Sequence, residues 1–168
     1  MADDVFSTME APHLEFAFEL RLWFTRVQTL TNTPDGGMRS AVYVDRGAFE
    51  GPRLKGTAVP NSGGDYAYFR PNDTAVFDAR YMLEEDDGTL IYLENHGYLW
   101  GRAPDTMDRL RSWAFEGGEP VPHADYYLRA APKFEVPTGP HDWLAKHVFI
   151  GVGERLPDGN RVRYYALT

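Results

Sequence analysis

The sequence predicts an all-β protein, a closed antiparallel β-barrel of about eight to ten strands with one or two short helices. Three observations carry this expectation. Apolar and polar residues alternate at period two along several runs, which is the pattern of a strand with one buried face. Clusters of Gly, Pro, Asn and Asp separate those runs at hairpin spacing. Only one stretch has the 3.6-residue period of an amphipathic helix with both a start and a stop signal. Many short strands with few helices favour a barrel, and a barrel of this size holds one small ligand.

Taken in order, residues 1–12 (MADDVFSTMEAP) read as a flexible lead-in, and residues 13–168 as a single barrel domain. Leu14, Phe16, Phe18, Leu20, Leu22 and Phe24 alternate with mostly polar neighbours and form the first strand. Thr33-Pro34-Asp35-Gly36-Gly37 is a turn, and Met38 to Phe49 is the second strand. Gly51-Pro52 bends the chain into a third. Pro60-Asn61-Ser62-Gly63-Gly64 is a loop, and Asp65 to Arg70 is a short aromatic strand.

Val76 to Gly97 reads as one hairpin, with Asp87-Gly88 as a two-residue type I′ turn. In that register Arg80 faces Asn95, and Asp78 faces Gly97. One face then holds Asp78, Arg80, Met82, Ile91, Leu93 and Asn95. The other holds Tyr81, Tyr92, Glu94 and His96 among apolar neighbours. A slip of one residue would exchange the faces.

Pro104-Asp105-Thr106 opens the helix, Met107, Leu110 and Trp113 or Ala114 give its period, and Gly117-Gly118 ends it. Tyr126 to Ala131 is a strand stopping before Pro132, and Asp142 to Lys146 is a single helical turn. Val148 to Val152 and Val162 to Leu167 are the last strands.

Composition bounds the function. The 168 residues are 43% hydrophobic and 14% aromatic, enough for one domain with a substantial core. A net charge of −8 argues against nucleic acid and anionic membrane surfaces as partners. There is no cysteine, hence no disulfide and no thiolate chemistry. The acidic N-terminus lacks a signal-peptide core, so a cytoplasmic location is expected. No phosphate loop, GxSxG elbow or paired histidine ligand spacing occurs, and no cofactor or metal is expected.

GAFEGPRLKGTAVP, RPNDTAVFDARYMLEEDDGTLIYLENHG, YYLRAAPKFE and WLAKHVFIGVGER, in this order, resemble the DUF3237 family, also called UPF0311. The resemblance runs from about Leu14 to Tyr165. It implies a small barrel of the allene-oxide-cyclase and dirigent type, whose relatives guide isomerisations, cyclisations or couplings of small hydrophobic intermediates. Tyr98-Leu99-Trp100 depart from the basic or small residues expected after Asn95-His96-Gly97, which suggests a more aromatic pocket edge.

The sharpest candidate site is Asp78, Arg80 and Asn95 on one hairpin face, joined by Arg129 and Glu135. A carboxylate, a guanidinium and an amide in a low-dielectric bore would move a proton and stabilise an enolate. The competing interpretation is a structural ion pair or a subunit interface. Tyr66, Tyr68, Tyr92, Tyr126, Tyr127 and Trp143 are candidates for lining an aromatic substrate pocket, or are ordinary core residues. Asp65 and Glu50 read as turn or mouth residues, and the run Glu84-Glu85-Asp86-Asp87 as solvated surface.

These readings converge on a cofactor-independent isomerase, cyclase or lyase acting on a small hydrophobic oxygenated molecule, in a homo-oligomer. The alternatives are a binding barrel without chemistry and a structural oligomeric barrel.

Overall fold

A computed structural model describes residues 10–168. Most of the expected lead-in, residues 1–9, lies outside them, and Glu10 to Pro12 are exposed coil. The strands are β1 (Leu14–Leu30), β2 (Met38–Glu50), β3 (Lys55–Ala58), β4 (Gly64–Asp65), β5 (Tyr68–Phe69), β6 (Ala75–Glu85), β7 (Leu90–Gly101), β8 (Tyr126–Glu135), β9 (Phe149–Leu156) and β10 (Gly159–Leu167). They form one antiparallel sheet that closes where β1 pairs with β2. The expected all-β barrel is therefore the observed fold.

The barrel has eight staves, because β3, β4 and β5 are three pieces of one. All three bridge β2 to β6, and irregular backbone separates them. Side chains repair the breaks. The Ser62 hydroxyl accepts the Met82 N–H at 2.9 Å, and the Asp65 carboxylate accepts the Asp78 N–H at 3.0 Å. Gly63 is required where the pieces pass β6, since a Cβ there would lie 1.8 Å from the Arg80 carbonyl oxygen.

Two further differences from expectation have local causes. A bulge between Phe16 and Phe18 turns Leu14 and Phe16 to the outside, although they continue the apolar alternation of β1. β8 runs through Pro132 rather than stopping before it. Its ladder with β9 is confined to Arg129 and Ala130, so Pro132 has no N–H to lose on that side.

The hairpin register differs by one residue from the type I′ expectation. Glu84 pairs with Leu90, and the Glu85 N–H donates to the Thr89 carbonyl, leaving a three-residue loop. Gly88 has φ +87°, whereas Asp87 is not among the residues of positive φ, so the turn is a type I turn closed by a left-handed glycine. The pairs are now Asp78–His96, Ala79–Asn95 and Arg80–Glu94. Odd-numbered residues of both strands face inward. The inner row therefore takes half of each expected face: Phe77, Ala79, Tyr81 and Leu83 with Ile91, Leu93 and Asn95, all buried. Asp78 and Arg80 do not share a face with Asn95.

Helix α1 (Thr106–Phe115) forms where the sequence expects it and lies across one end of the barrel, with Met107 and Leu110 buried against Phe77, Tyr126 and Leu128. The other end is filled by Phe18, Phe49, Phe134, Phe149 and Tyr164 and covered by the single turn Asp142–Lys146, which contributes Trp143 and Leu144. No helix among the described residues is long and apolar enough to cross a membrane.

Candidate functional site

The inward rows change character along the barrel. β6 carries Leu83 and Tyr81 at the filled end, then Ala79, Phe77 and Ala75 toward the helix. β7 changes from Ile91 and Leu93 to Asn95, Gly97 and Leu99, and β9 from Phe149 to Gly151 and Gly153. The loss of side-chain volume opens a cavity of about 130 Å³ under α1. Its walls are mainly apolar, including Val42, Phe77, Leu99, Met107, Leu110 and Leu128.

A few polar groups interrupt this wall. Asp65 projects from β4 into the cavity, and the row Asp65–Ala79–Asn95 runs across three adjacent strands. Asp65 and Asn95 thus flank a small alanine, two strand spacings apart, roughly 10 Å. Burial pushes the Asp65 carboxyl up to about 7, against the Asp78 N–H bond that favours its charged form; the nearby Asp78 charge adds to the rise. Asn95 is 5% exposed, and its Oδ1 has no hydrogen-bond partner among the described residues. Tyr81, wholly buried against Tyr164, completes this wall as a neutral hydroxyl, its ionisation pushed well above the usual phenol range by burial.

On β9 and β10 the inward rows end in Arg155 and Asn160, which are register partners and both line the cavity. The Arg155 Nη1 donates to Asn160 Oδ1 at 3.2 Å, and its backbone N–H donates to the Tyr126 hydroxyl at 2.9 Å. Arg111 of α1 also borders the cavity.

Of the residues singled out in the sequence, Asn95 faces the cavity. Asp78 and Arg80 lie on the outer surface, where Arg80 Nε meets Asp78 Oδ1 at 2.8 Å and Glu94 and His96 complete a surface polar cluster. The Arg80 bond holds the Asp78 carboxyl below its ordinary value. Arg129 belongs to the outward row of β8, stacks its guanidinium on Tyr127 and is among the residues that border the cavity. Tyr92 and Glu135 also take outward positions. Tyr66 is exposed, Tyr68 donates its hydroxyl to Asp35, and Tyr127 stacks on Trp100 at 5.3 Å. Trp143 packs at the filled end beneath Arg53. Leu99 points inward, but Tyr98 and Trp100 are exposed, so the departure after Gly97 does not make the pocket edge aromatic.

Glu85, Asp87 and His141 offer three ligand atoms within 4.8 Å of one another at the hairpin tip. His141 Nε2 is 3.0 Å from Asp87 Oδ2, while Glu85 Oε2 accepts the Asp87 N–H at 2.7 Å. These contacts fasten the hairpin loop to the loop before Trp143. Part of the acidic run is therefore engaged rather than merely solvated.

The fold and cavity define a class: a small antiparallel barrel, solid at one end and hollow at the other, with a partly buried acid on the wall of the hollow. Residues 12–167 match the family model described as a protein of unknown function (DUF3237). The chain belongs to the DUF3237 family. It is 33% identical over 122 residues to a UPF0311 protein of Rhodopseudomonas palustris (strain TIE-1), an alignment spanning 73% of this chain and 75% of that one. A β-barrel-like protein from Acinetobacter baumannii AYE superposes with TM-score 0.80 and 31% identity, over 96% of this chain and 99% of that one. A Penicillium herquei protein described as an enzyme shares the fold at TM-score 0.69 and 18% identity, over 96% of this chain and 98% of that one.

Proposed function

We propose that the protein is a cofactor-independent enzyme that binds a small, largely hydrophobic, oxygenated molecule under α1 and catalyses proton transfer on it, as an isomerase, cyclase or lyase. Asp65 is the acid–base group. The carrying observation is a carboxyl raised to about 7 by burial, on the wall of an apolar cavity. Such a group exchanges a proton near neutral pH, where an ordinary carboxylate is too weak a base. Asn95 is the positioning amide. Its amide nitrogen would donate to a substrate oxygen and its unpartnered Oδ1 would accept a substrate hydroxyl. The Penicillium herquei relative of this fold is described as an enzyme, which adds weight to the catalytic reading.

A binding barrel without chemistry is the second reading. It is favoured by the structural duty Asp65 already performs for the Asp78 N–H. The probe 2-tetralone separates the two, because its α-protons exchange in D2O when a base is held beside them. The wild-type protein is expected to accelerate that exchange as followed by proton NMR. Asp65→Asn is expected to lose the acceleration while still binding the ketone. Equal exchange in both proteins would remove Asp65 as the base.

A further inference from the structure

Arg155 is a guanidinium on the cavity wall with no ion-pair partner among the described residues; Asp158 acts on it only from beyond 4.0 Å. Among the described residues no carboxylate lies within 4.0 Å of it, and its Nε has no hydrogen-bond partner. The neighbouring acids are engaged elsewhere, Glu154 with Arg161 and Asp158 with Arg21. Among the described residues its one side-chain bond goes to the neutral amide of Asn160, its guanidinium lies 5.6 Å from the Phe24 ring, and the charge of Arg21 opposes its own. A part-buried cation carries a large desolvation cost unless something negative meets it. Burial accordingly pulls the Arg155 guanidinium below its ordinary value.

Its position in the ring of staves is informative. Counting from β9 through β8, β7 and β6 to the broken stave that carries β4, Arg155 and Asp65 stand four staves apart in a ring of eight. They occupy opposite walls of one bore. A ligand lying across the bore meets a proton-transferring carboxyl on one side and a fork of free N–H donors on the other. We infer that Arg155, oriented by Asn160, is the anchor for an anionic oxygen on the ligand. The substrate class is then a small apolar molecule that carries one carboxylate or acidic enol oxygen, with its reacting carbon across the bore at Asp65. The outward guanidiniums Arg80, Arg161 and Arg163 differ in this respect, since each is paired with a carboxylate.

This inference rests on the proposed function for the cavity as the binding site and for the position of the reacting carbon. The two fail separately. The test compares trans-cinnamate with its uncharged counterpart cinnamyl alcohol by isothermal titration calorimetry at pH 7.5. The wild-type protein is expected to prefer the anion by about ten- to a hundred-fold, the range of a charge-assisted hydrogen bond. Arg155→Met should bring the two ligands to within about three-fold of each other, and Arg155→Lys should keep part of the preference. Asp65→Asn removes a negative charge from the same bore, so it should leave the preference in place and tighten cinnamate. Equal binding of the two probes by the wild type, no binding of either, or a preference that survives Arg155→Met would each overturn the inference. A preference lost in Arg155→Met beside an Asp65 that does not drive α-proton exchange would leave the anchor standing and remove the proposed chemistry.

Discussion

The two ends of this barrel are built from the same inward rows and do opposite things. At the filled end the rows carry Phe18, Phe134, Phe149 and Tyr164, whose rings meet edge-on or tilted at 4.9–5.9 Å. At the open end the same rows carry Ala75, Ala79, Ala130, Gly97 and Gly153, and a helix substitutes for the missing side chains. One end supplies stability through dense apolar contact. The other gives up part of that contact, and its interior accepts Asp65, Asn95 and Arg155. Stability and function are thus divided along the barrel axis, and the division makes measurable predictions.

The largest effect is expected at the filled end. Phe134 touches Phe18, Phe149 and Tyr164, so Phe134→Ala leaves a void that rigid strands cannot collapse into. It should cost about 3–5 kcal/mol. Leu110→Ala in α1 borders space that is already open, and it should cost less than half as much by denaturant unfolding. Equal losses at the two positions would show that the ends do not differ in packing.

Asp65 gives the next effect, and its sign is set by the direction in which burial moves its carboxyl. That carboxyl is raised from 3.8 to about 7 on folding, so the folded state holds a proton that the unfolded chain releases. Its contribution is fully present below about pH 4 and is lost as pH rises through about 7. A rise of that size corresponds to at most about 4 kcal/mol. Asp65→Asn should remove this dependence and unfold at higher denaturant than wild type at pH 8. A wild-type stability that does not decline between pH 4 and 8 relative to the variant would place the Asp65 carboxyl at its ordinary value.

Much of the fold is legible in the sequence because strands announce themselves through alternation and glycine-rich turns. Met38 to Phe49 and the helix after Pro104 fall within a residue or two of their observed bounds. The site is less legible for physical reasons. Asp65 lies in a strand of two residues, too short for a period, and follows two glycines that look like a turn. Asp78 and Arg80 read as sharing a face with Asn95 because Asp87-Gly88 suggests a two-residue turn, and the added loop residue moves the pairing by one. Arg155 does leave a signal. It continues the buried row Phe149, Gly151, Gly153, and a charged residue in register with a buried row marks either a cavity or a mouth.

The outer hairpin face offers the smallest effect and the most direct contrast with the cavity. Reading the sequence alone makes Asp78 the base, and Asp78→Asn should then abolish proton exchange. The barrel geometry puts Asp78 outside, its side chain 39% exposed and its charge held by Arg80, so exchange and cinnamate affinity should stay within about two-fold of wild type. The stability change should also be small, because solvent screens an exposed pair. The lowered Asp78 carboxyl stabilises the fold above the ordinary carboxylate range, and that contribution fades as pH falls below it. The difference between Asp78→Asn and wild type should therefore shrink in acid. A loss of exchange in Asp78→Asn with Asp65 intact would move the chemistry to the outer face and leave the cavity as a binding site alone.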